Sequence, residues 1–286
     1  RWKEAVELLE EMIAGGSSSS SSSISVITGG GPKISPSIVS YNAAITACAR
    51  GRRFELALEL LRGMQARSGI SPDRYSYAAA MSGLAKAGKP TLAVLLLEEM
   101  RAAGLAPDMV CLSGAMDACQ ARGAWEEAGV VIEQVRASEP APSRTALTKI
   151  LTTAIGSCVV DGAWEQATDY LVDIRMANGG AIPPAAAYAA AANACARAGQ
   201  GVRAQALIAE LAAGSGERPT IECFNAVVAG CAMAGDVAGA VRTLKEDVPA
   251  AGLKADTRGF NHAISGCARA GEWKTALVLL DEQRSG

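Results

Sequence analysis

Apolar side chains in this chain return with the spacing of one helix face. Tyr41, Ile45 and Cys48 fall at i, i+4 and i+7, while Ala57, Leu60, Leu61 and Met64 fall at i, i+3, i+4 and i+7. Each stretch predicts an amphipathic α-helix, and the two predict a helix pair joined by a short turn. The pattern then recurs to the end of the sequence. The alanine that opens the second stretch returns as Ala57, Ala93, Ala128, Ala167, Ala204, Ala240 and Ala276, at intervals of 36, 35, 39, 37, 36 and 36 residues, and Ala5 is an earlier copy. Sixteen residues before these seven stand Tyr41, Tyr77, Leu112, Leu151, Tyr188, Phe224 and Phe260. Seven residues after that aromatic or leucine come Cys48, Leu84, Cys119, Cys158, Cys195, Cys231 and Cys267. A slot that accepts either cysteine or leucine is read as a packing slot, because buried cysteine behaves as a small apolar residue.

Turn residues punctuate the same register. Glycine marks the turn inside a pair, as at Gly88, and proline marks the turn between pairs, as at Pro72, Pro107, Pro184 and Pro219. Helix pairs of this kind cannot bury their apolar faces alone, so an all-α solenoid of stacked repeats, right- or left-handed, is expected. One connection is longer than the rest: 29 residues separate Met12 from Tyr41, against 13 from Met64 to Tyr77. The surplus holds seven consecutive serines, Ser17 to Ser23, and Gly29 to Gly31, which reads as a flexible surface loop with a phosphorylated segment as the alternative. The expected organisation is therefore the second helix of a truncated repeat at 1–14, a Ser/Gly-rich insertion at 15–37, and a solenoid of six full repeats and one partial repeat at 38–286. The sequence opens inside a helix pattern and closes just after another, and is expected to be a fragment. In the fourth repeat Leu147 lies five residues after Pro142, yet Leu151 is the residue in step with Cys158 and Ala167, so its first helix is expected to be a turn longer or irregular at its start.

Composition narrows the chemistry. Half of the 286 residues are hydrophobic, but 4% are aromatic and 30 are glycine, so the core must be built from small side chains that let helices approach closely. Lys and Arg number 27 against 29 Asp and Glu, a formal net charge of −2, which leaves no strongly basic body to attract nucleic acid by bulk electrostatics. The single histidine, His262, removes His-based triads and multi-His metal sites. The eight cysteines form no CxxC pair, so disulfide and zinc readings give way to packing. Carboxylate pairs such as Glu98 with Glu99 and Glu126 with Glu127 fall on polar helix faces and read as solvated. No catalytic residue, metal site, cofactor or small-molecule substrate is implied. The longest uncharged stretch, Met176 to Ala196, carries Gly179, Gly180, Pro183 and Pro184 and does not read as a membrane span.

The repeat period and its phrases resemble the pentatricopeptide repeat. Val39, Ser40, Tyr41 and Asn42 match the family's opening phrase, Ser71, Pro72 and Asp73 match its close, and Phe224 with Asn225 and Phe260 with Asn261 repeat the opening. The phrase Gly-Ala-Trp-Glu-Glu-Ala at 123–128 recurs at 162–167 and 271–276, and its remnant opens the chain at Trp2. Trp2, Trp125, Trp164 and Trp273 share their slot with Phe54, Pro90 and Val237, which points to packing between helices rather than stacking on bases. The resemblance implies a right-handed superhelical α-solenoid that binds single-stranded RNA in a chloroplast or mitochondrion, one base per repeat. Each base would be read by a first-helix side chain and the last residue of the unit.

Carried over, these pairs are Asn42 with Asp73, Ala78 with Asp108, Ser113 with Ser143, Thr148 or Thr152 with Pro184, Ala189 with Thr220, and Asn225 with Asp256, while Asn261 opens the last repeat. Asn with Asp matches the family's uracil-preferring combination, so the implied footprint is a uracil, four weakly specified bases, a uracil and a pyrimidine opposite Asn261. The family's phosphate-contacting slot, near the end of the first helix, holds Arg50, Lys86, Arg197 and Arg269. Cations placed there also offset a helix macrodipole, and spacing alone does not separate the two roles. Two functions follow. One is an RNA-binding module acting in transcript stabilisation, processing or translation. The alternative, supported by the near-neutral charge and by alanine at two reading positions, is a scaffolding solenoid that binds protein subunits of an organellar complex.

Overall fold

In the computed structural model the described residues are 2–17, 35–138, 142–214 and 218–285, and all of the regular structure among them is helical. The serine run from Ser18 onward and Gly29 to Gly31 lie outside the described residues. The chain divides into two compact units, Arg1–Ala121 and Arg122–Gly286. In the first, α1 (Trp2–Ser17) precedes α2 (Ile38–Arg50), α3 (Phe54–Ser68), α4 (Arg74–Ala87), α5 (Pro90–Ala102) and α6 (Met109–Arg122), whose last residue belongs to the second unit. The second contains α7 (Trp125–Arg136), α8 (Arg144–Cys158), α9 (Trp164–Ala177), α10 (Ala185–Arg197), α11 (Gly201–Ala213) and α12 (Ile221–Ala234). It closes with α13 (Val237–Arg242), a π-helical turn (Thr243–Asp247), α14 (Val248–Ala250), α15 (Thr257–Ala270) and α16 (Trp273–Ser285).

Each unit stacks its repeats through a seam of small residues on consecutive first helices. The residue before the Cys/Leu slot is Gly83, Gly230 or Gly266 in three repeats, and it faces the alanine after that slot in the preceding repeat. A methyl group on Gly83 would lie 3.3 Å from the Ala49 side chain, one on Gly230 would lie 3.1 Å from Ala196 Cα, and one on Gly266 would lie 2.7 Å from the Ala232 side chain. Helices α2 and α4, α10 and α12, and α12 and α15 therefore pack almost backbone to backbone, which accounts for a core poor in aromatics. The six cysteines of the slot are all buried and outside any disulfide, in the company of Tyr41, Ile45, Leu60, Leu61 and Met64 in the first repeat.

Second helices are joined differently, by ion pairs at the repeat spacing. The anion six residues after the slot alanine pairs with a cation of the preceding second helix: Arg62 with Glu99, Arg136 with Asp173, Arg175 with Glu210, and Lys245 with Glu282. All are half-exposed. They fix stacking orientation more than they add stability.

Local rules set the helix ends. Ser37 with Ser40, and Asp73 with Ser76, form reciprocal capping boxes, and Ser143, Asp236 and Asp256 each accept from a backbone N–H three residues on. The turn inside each pair needs a left-handed residue four positions after the Cys/Leu slot. Glycine supplies it at Gly88, Gly123, Gly162, Gly199, Gly235 and Gly271, but Arg52 holds it in the first repeat, with φ 57°. The glycine there sits one residue earlier, at Gly51, where a Cβ would lie 2.6 Å from the Trp2 ring. Packing of the tryptophan has displaced the glycine from the position the backbone favours.

Two repeats depart from the common plan. The other first helices begin three residues before the aromatic slot, whereas α8 begins seven before Leu151 and ends at Cys158 itself. It has gained a turn at its start. In the sixth repeat the slot filled elsewhere by Met64, Met100, Val135, Ile174 and Leu211 falls on Asp247. The π-helical turn admits one extra residue, so that Val248 enters the core and Asp247 does not. Pro249, which has no N–H to close an α-helical bond, follows directly. Asp247 faces a cavity of about 910 Å³ with Phe224, Val227 and Arg242 on its wall.

Candidate functional site

The side chain in question on each first helix is the fifth residue after the helix cap, and its neighbour is the cap of the following first helix. This is a consequence of stacking: α4 starts beside α2 at the same height, so the Asp73 carboxylate that caps α4 also reaches Asn42 on α2. Asn42 Nδ2 donates to Asp73 Oδ1 at 3.3 Å. Ser76 closes the group, its hydroxyl lying 2.6 Å from Asn42 Oδ1 and 2.9 Å from Asp73 Oδ1. Burial raises the Asp73 carboxyl, but hydrogen bonds from the Ser76 N–H, the Ser76 hydroxyl and the Asn42 amide outweigh it and hold the group below the usual aspartate value. Asp73 is held as a carboxylate in the folded chain.

The sixth repeat builds the same pair with one part missing. Asn225 Nδ2 donates to Asp256 Oδ1 and Oδ2 at 3.0 and 3.1 Å, and Asp256 caps α15 through the Gly259 N–H at 2.9 Å. Glycine replaces the serine here, and the buried Asn225 Oδ1 has no hydrogen-bond partner. Elsewhere the expected pairs are weaker. Asp108 caps α6 through the Cys111 N–H at 2.9 Å, opposite Ala78, which has no polar group to offer. Ser113 lies on α6 in the first unit, while Ser143 caps α8 in the second. Ala189 is buried on α10, and the Thr220 hydroxyl meets only the Cys223 sulfur, at 3.5 Å. Asn261 accepts a hydrogen bond from Gln283 of its own repeat at 3.5 Å. In the fourth repeat Thr152 Oγ1 donates to the Thr148 carbonyl at 2.8 Å, and Thr148 Oγ1 donates to Asn178 Oδ1 at 3.3 Å, so neither meets Pro184.

Beside Asn42 lies an open groove of about 580 Å³ whose wall includes Val39, Thr46, Arg50 and Tyr75. Arg50 therefore shares a surface with Asn42, and it sits in the last turn of α2, where the macrodipole argument also puts it. Lys86 and Arg197 occupy the same last-turn position on exposed surface of α4 and α10, whereas Arg269 Nη1 donates to Met233 Sδ at 2.8 Å. Tyr75 and Val110 were not singled out by sequence reasoning, and Val39 entered it only as part of the opening phrase. Val39, Tyr75 and Val110 lie two residues before Tyr41, Tyr77 and Leu112, and are 71, 77 and 65% exposed. The missed signal was an apolar residue at a fixed offset that should have been polar if it were only a solvated helix face.

The tryptophan slot is a packing slot at Trp2, which lies against Gly51 with the Arg53 guanidinium 5.0 Å from its ring, and at Trp164, covered by Arg203 at 4.0 Å. Trp273 is 64% exposed. Among the described residues no group of three or more His, Cys, Asp or Glu side chains is placed to hold a metal, and no helix is long and apolar enough to cross a membrane.

A family model described as the PPR repeat family matches residues 36–86, and one described as the PPR repeat matches 75–105 and 260–282. Among solved structures the chain is similar to the pentatricopeptide repeat protein PPR10 in complex with an 18-nt psaJ RNA element. The two are 22% identical over 87% of this chain and 40% of that one, with a TM-score of 0.58. A variant of PPR10 with three cysteines changed to serine, in complex with the same element, gives the same identity, coverage and TM-score. PPR10 from maize is 19% identical over 99% of this chain and 46% of that one, with a TM-score of 0.46. This chain thus spans less than half the length of these structures, and the likeness is one of fold. No curated protein matches it.

Proposed function

We propose that this chain, which belongs to the pentatricopeptide-repeat family, binds single-stranded RNA and reads it one base per repeat along its first helices. The observation that carries the reading is the pair of hydrogen-bonded Asn–Asp couples, Asn42 with Asp73 and Asn225 with Asp256, each formed where two stacked repeats meet, the first half-buried and the second with its asparagine buried. An amide oriented by a carboxylate has a fixed donor and acceptor direction, which is what discrimination between bases requires. Val39, Tyr75 and Val110 supply apolar and aromatic surface on which bases stack irrespective of identity. Arg50, Lys86 and Arg197 supply cations for phosphate, and Arg269 contributes less because it is engaged by Met233. PPR10, which shares this fold, is solved in complex with an RNA element, and the family resemblance extends the proposal to RNA stabilisation, processing or translation in a chloroplast or mitochondrion. The chain acts in this reading by binding, and carries no catalytic step of its own.

Selection from a randomised single-stranded RNA pool tests this. The expected winner has two uracils with four nucleotides between them, and Asn42→Ala with Asn225→Ala abolishes that enrichment. A pool that yields no sequence, together with negligible binding at physiological salt, overturns the proposal in favour of a scaffold that contacts protein.

A further inference from the structure

The seventh repeat carries the single histidine of the chain at a position that faces the groove. In the first repeat the groove wall includes Val39, Asn42, Ala43, Thr46, Ala47 and Arg50. The repeat register puts Arg258, Asn261, His262, Ser265, Gly266 and Arg269 at the same positions on α15. Two of these replacements change the chemistry of the wall. Arg258 stands where Val39, Tyr75 and Val110 offer apolar surface, and His262 stands where the six preceding repeats carry alanine, glycine or threonine, as at Ala43 and Gly114.

Arg258 and His262 lie one turn apart on one face of α15. Arg258 is exposed and His262 half-exposed, and among the described residues neither side chain has a hydrogen-bond or ion-pair partner. Arg269, two turns further on, is drawn to Met233. Burial and then the like charge of Arg258 hold the imidazole below the ordinary histidine value, with smaller effects of Asp256 upward and Arg269 downward. Asp256 is itself engaged by Asn225 and the Gly259 N–H. The other charged side chains on the elements packed against α15 are Glu222 on α12, Arg242 on α13, and Lys274, Asp281, Glu282 and Arg284 on α16, and they exert no comparable effect.

We propose that Arg258 and His262 clamp a backbone phosphate of bound RNA at the seventh repeat, and that the clamp forms as His262 takes up a proton from solvent. The inference rests on the RNA reading above, and adds to it a contact outside the last-turn slot of Arg50, Lys86 and Arg197. Guanidinium and imidazolium both donate N–H groups to phosphate oxygens. A phosphate between them favours the charged imidazole, so His262 titrates at higher pH in the complex than in the free chain. Binding therefore tightens in acid: the gain is complete below the free-chain value and gone above the bound one. No other imidazole is present to add to it.

The test uses the full chain and a fluorescein-labelled single-stranded RNA that carries two uracils with four nucleotides between them and extends beyond both. Affinity is measured at fixed ionic strength from about pH 8 to about pH 5, the range in which histidine changes charge. Wild-type affinity is expected to rise about tenfold toward acid, the equivalent of one pKa unit. His262→Gln stays at the alkaline wild-type value throughout, and Arg258→Gln binds more weakly at both ends. The one imidazole Cε1–H resonance reports the same event without a substitution, and saturating RNA should move its titration midpoint up by about one pH unit. An affinity independent of pH, a pH dependence that survives in His262→Gln, or a midpoint that RNA leaves in place overturns the clamp and leaves RNA binding standing. Absence of binding at every pH overturns the RNA reading, and the clamp with it.

Discussion

Arg52 carries a left-handed backbone at a turn where six other repeats place glycine, because Gly51 is needed one residue earlier to receive the Trp2 ring. A side chain in that conformation costs about 1 kcal/mol or more relative to glycine. Arg52→Gly should therefore stabilise the first unit by roughly 1 kcal/mol, read as a higher urea midpoint at unchanged slope. Gly51→Ala should do the reverse and release Trp2, visible as a shift in tryptophan fluorescence. Asp73 makes a pH prediction. Its carboxyl lies lower in the folded chain than in the unfolded one, so its contribution is fully present above the unfolded value of about 3.9 and disappears as pH falls through the folded value. Asp73→Asn should be less stable than wild type at neutral pH, and the two unfolding midpoints should converge in acid. The Asn–Asp couples were legible in the sequence because a constant spacing brings the residues together whatever lies between. That Ser76 completes one couple and Gly259 leaves the other short of a partner was not, since neither residue stands out until its neighbour across the seam is known.

Helices in this chain are held by two devices that tolerate error differently. The seam of first helices has no spare volume: Gly230 lies against both Ala196 and Gly201, and a leucine there must push two backbones apart. Gly230→Leu should cost about 1–3 kcal/mol or more, measured by chemical unfolding, and loosen the contact of α10 with α12. The ion pairs between second helices are half-exposed, so Glu99→Gln or Asp173→Asn should change stability by less than about 1 kcal/mol, an effect that salt diminishes further. Apolar periodicity was enough to read the helices, but not the π-helical turn. Its signal was present in Asp247, an aspartate in a slot filled by methionine or aliphatic residues in the five preceding repeats, followed two residues later by Pro249. A one-residue insertion keeps the pattern on either side intact, so counting repeats passes over it. The added turn of α8 was legible for the opposite reason, since it shifts Leu147 and Leu151 by a whole helical turn and leaves two candidates visible.

For the molecule as a whole, near-neutral charge sets the scale of any RNA affinity. A net charge of −2 provides no long-range attraction, so binding has to come from local contacts, each stacked base contributing on the order of 1–3 kcal/mol. With about four phosphate contacts the slope of log affinity against log salt should be near −3, and Arg50→Ala should reduce its magnitude by about 0.7. Arg269→Ala should change it less, because that guanidinium is occupied by Met233. Titration at several salt concentrations distinguishes these outcomes, and equal effects of the two substitutions would show that Met233 does not hold Arg269 back.

The buried cysteines give the chain a built-in clock. One thiol per repeat, in all repeats but the second, sits sealed in the same slot, and burial pushes Cys158 and Cys195 up to about 11 and raises Cys48, Cys231 and Cys267 in the same direction. A thiol that is both inaccessible and protonated does not react with an alkylating reagent until its own repeat opens. Neighbour-only stacking ties the opening of each repeat to that of the repeats beside it. Timed alkylation followed by peptide mapping would then report, cysteine by cysteine, the order in which the repeats breathe, and a bound strand of RNA would appear as the set of thiols it slows.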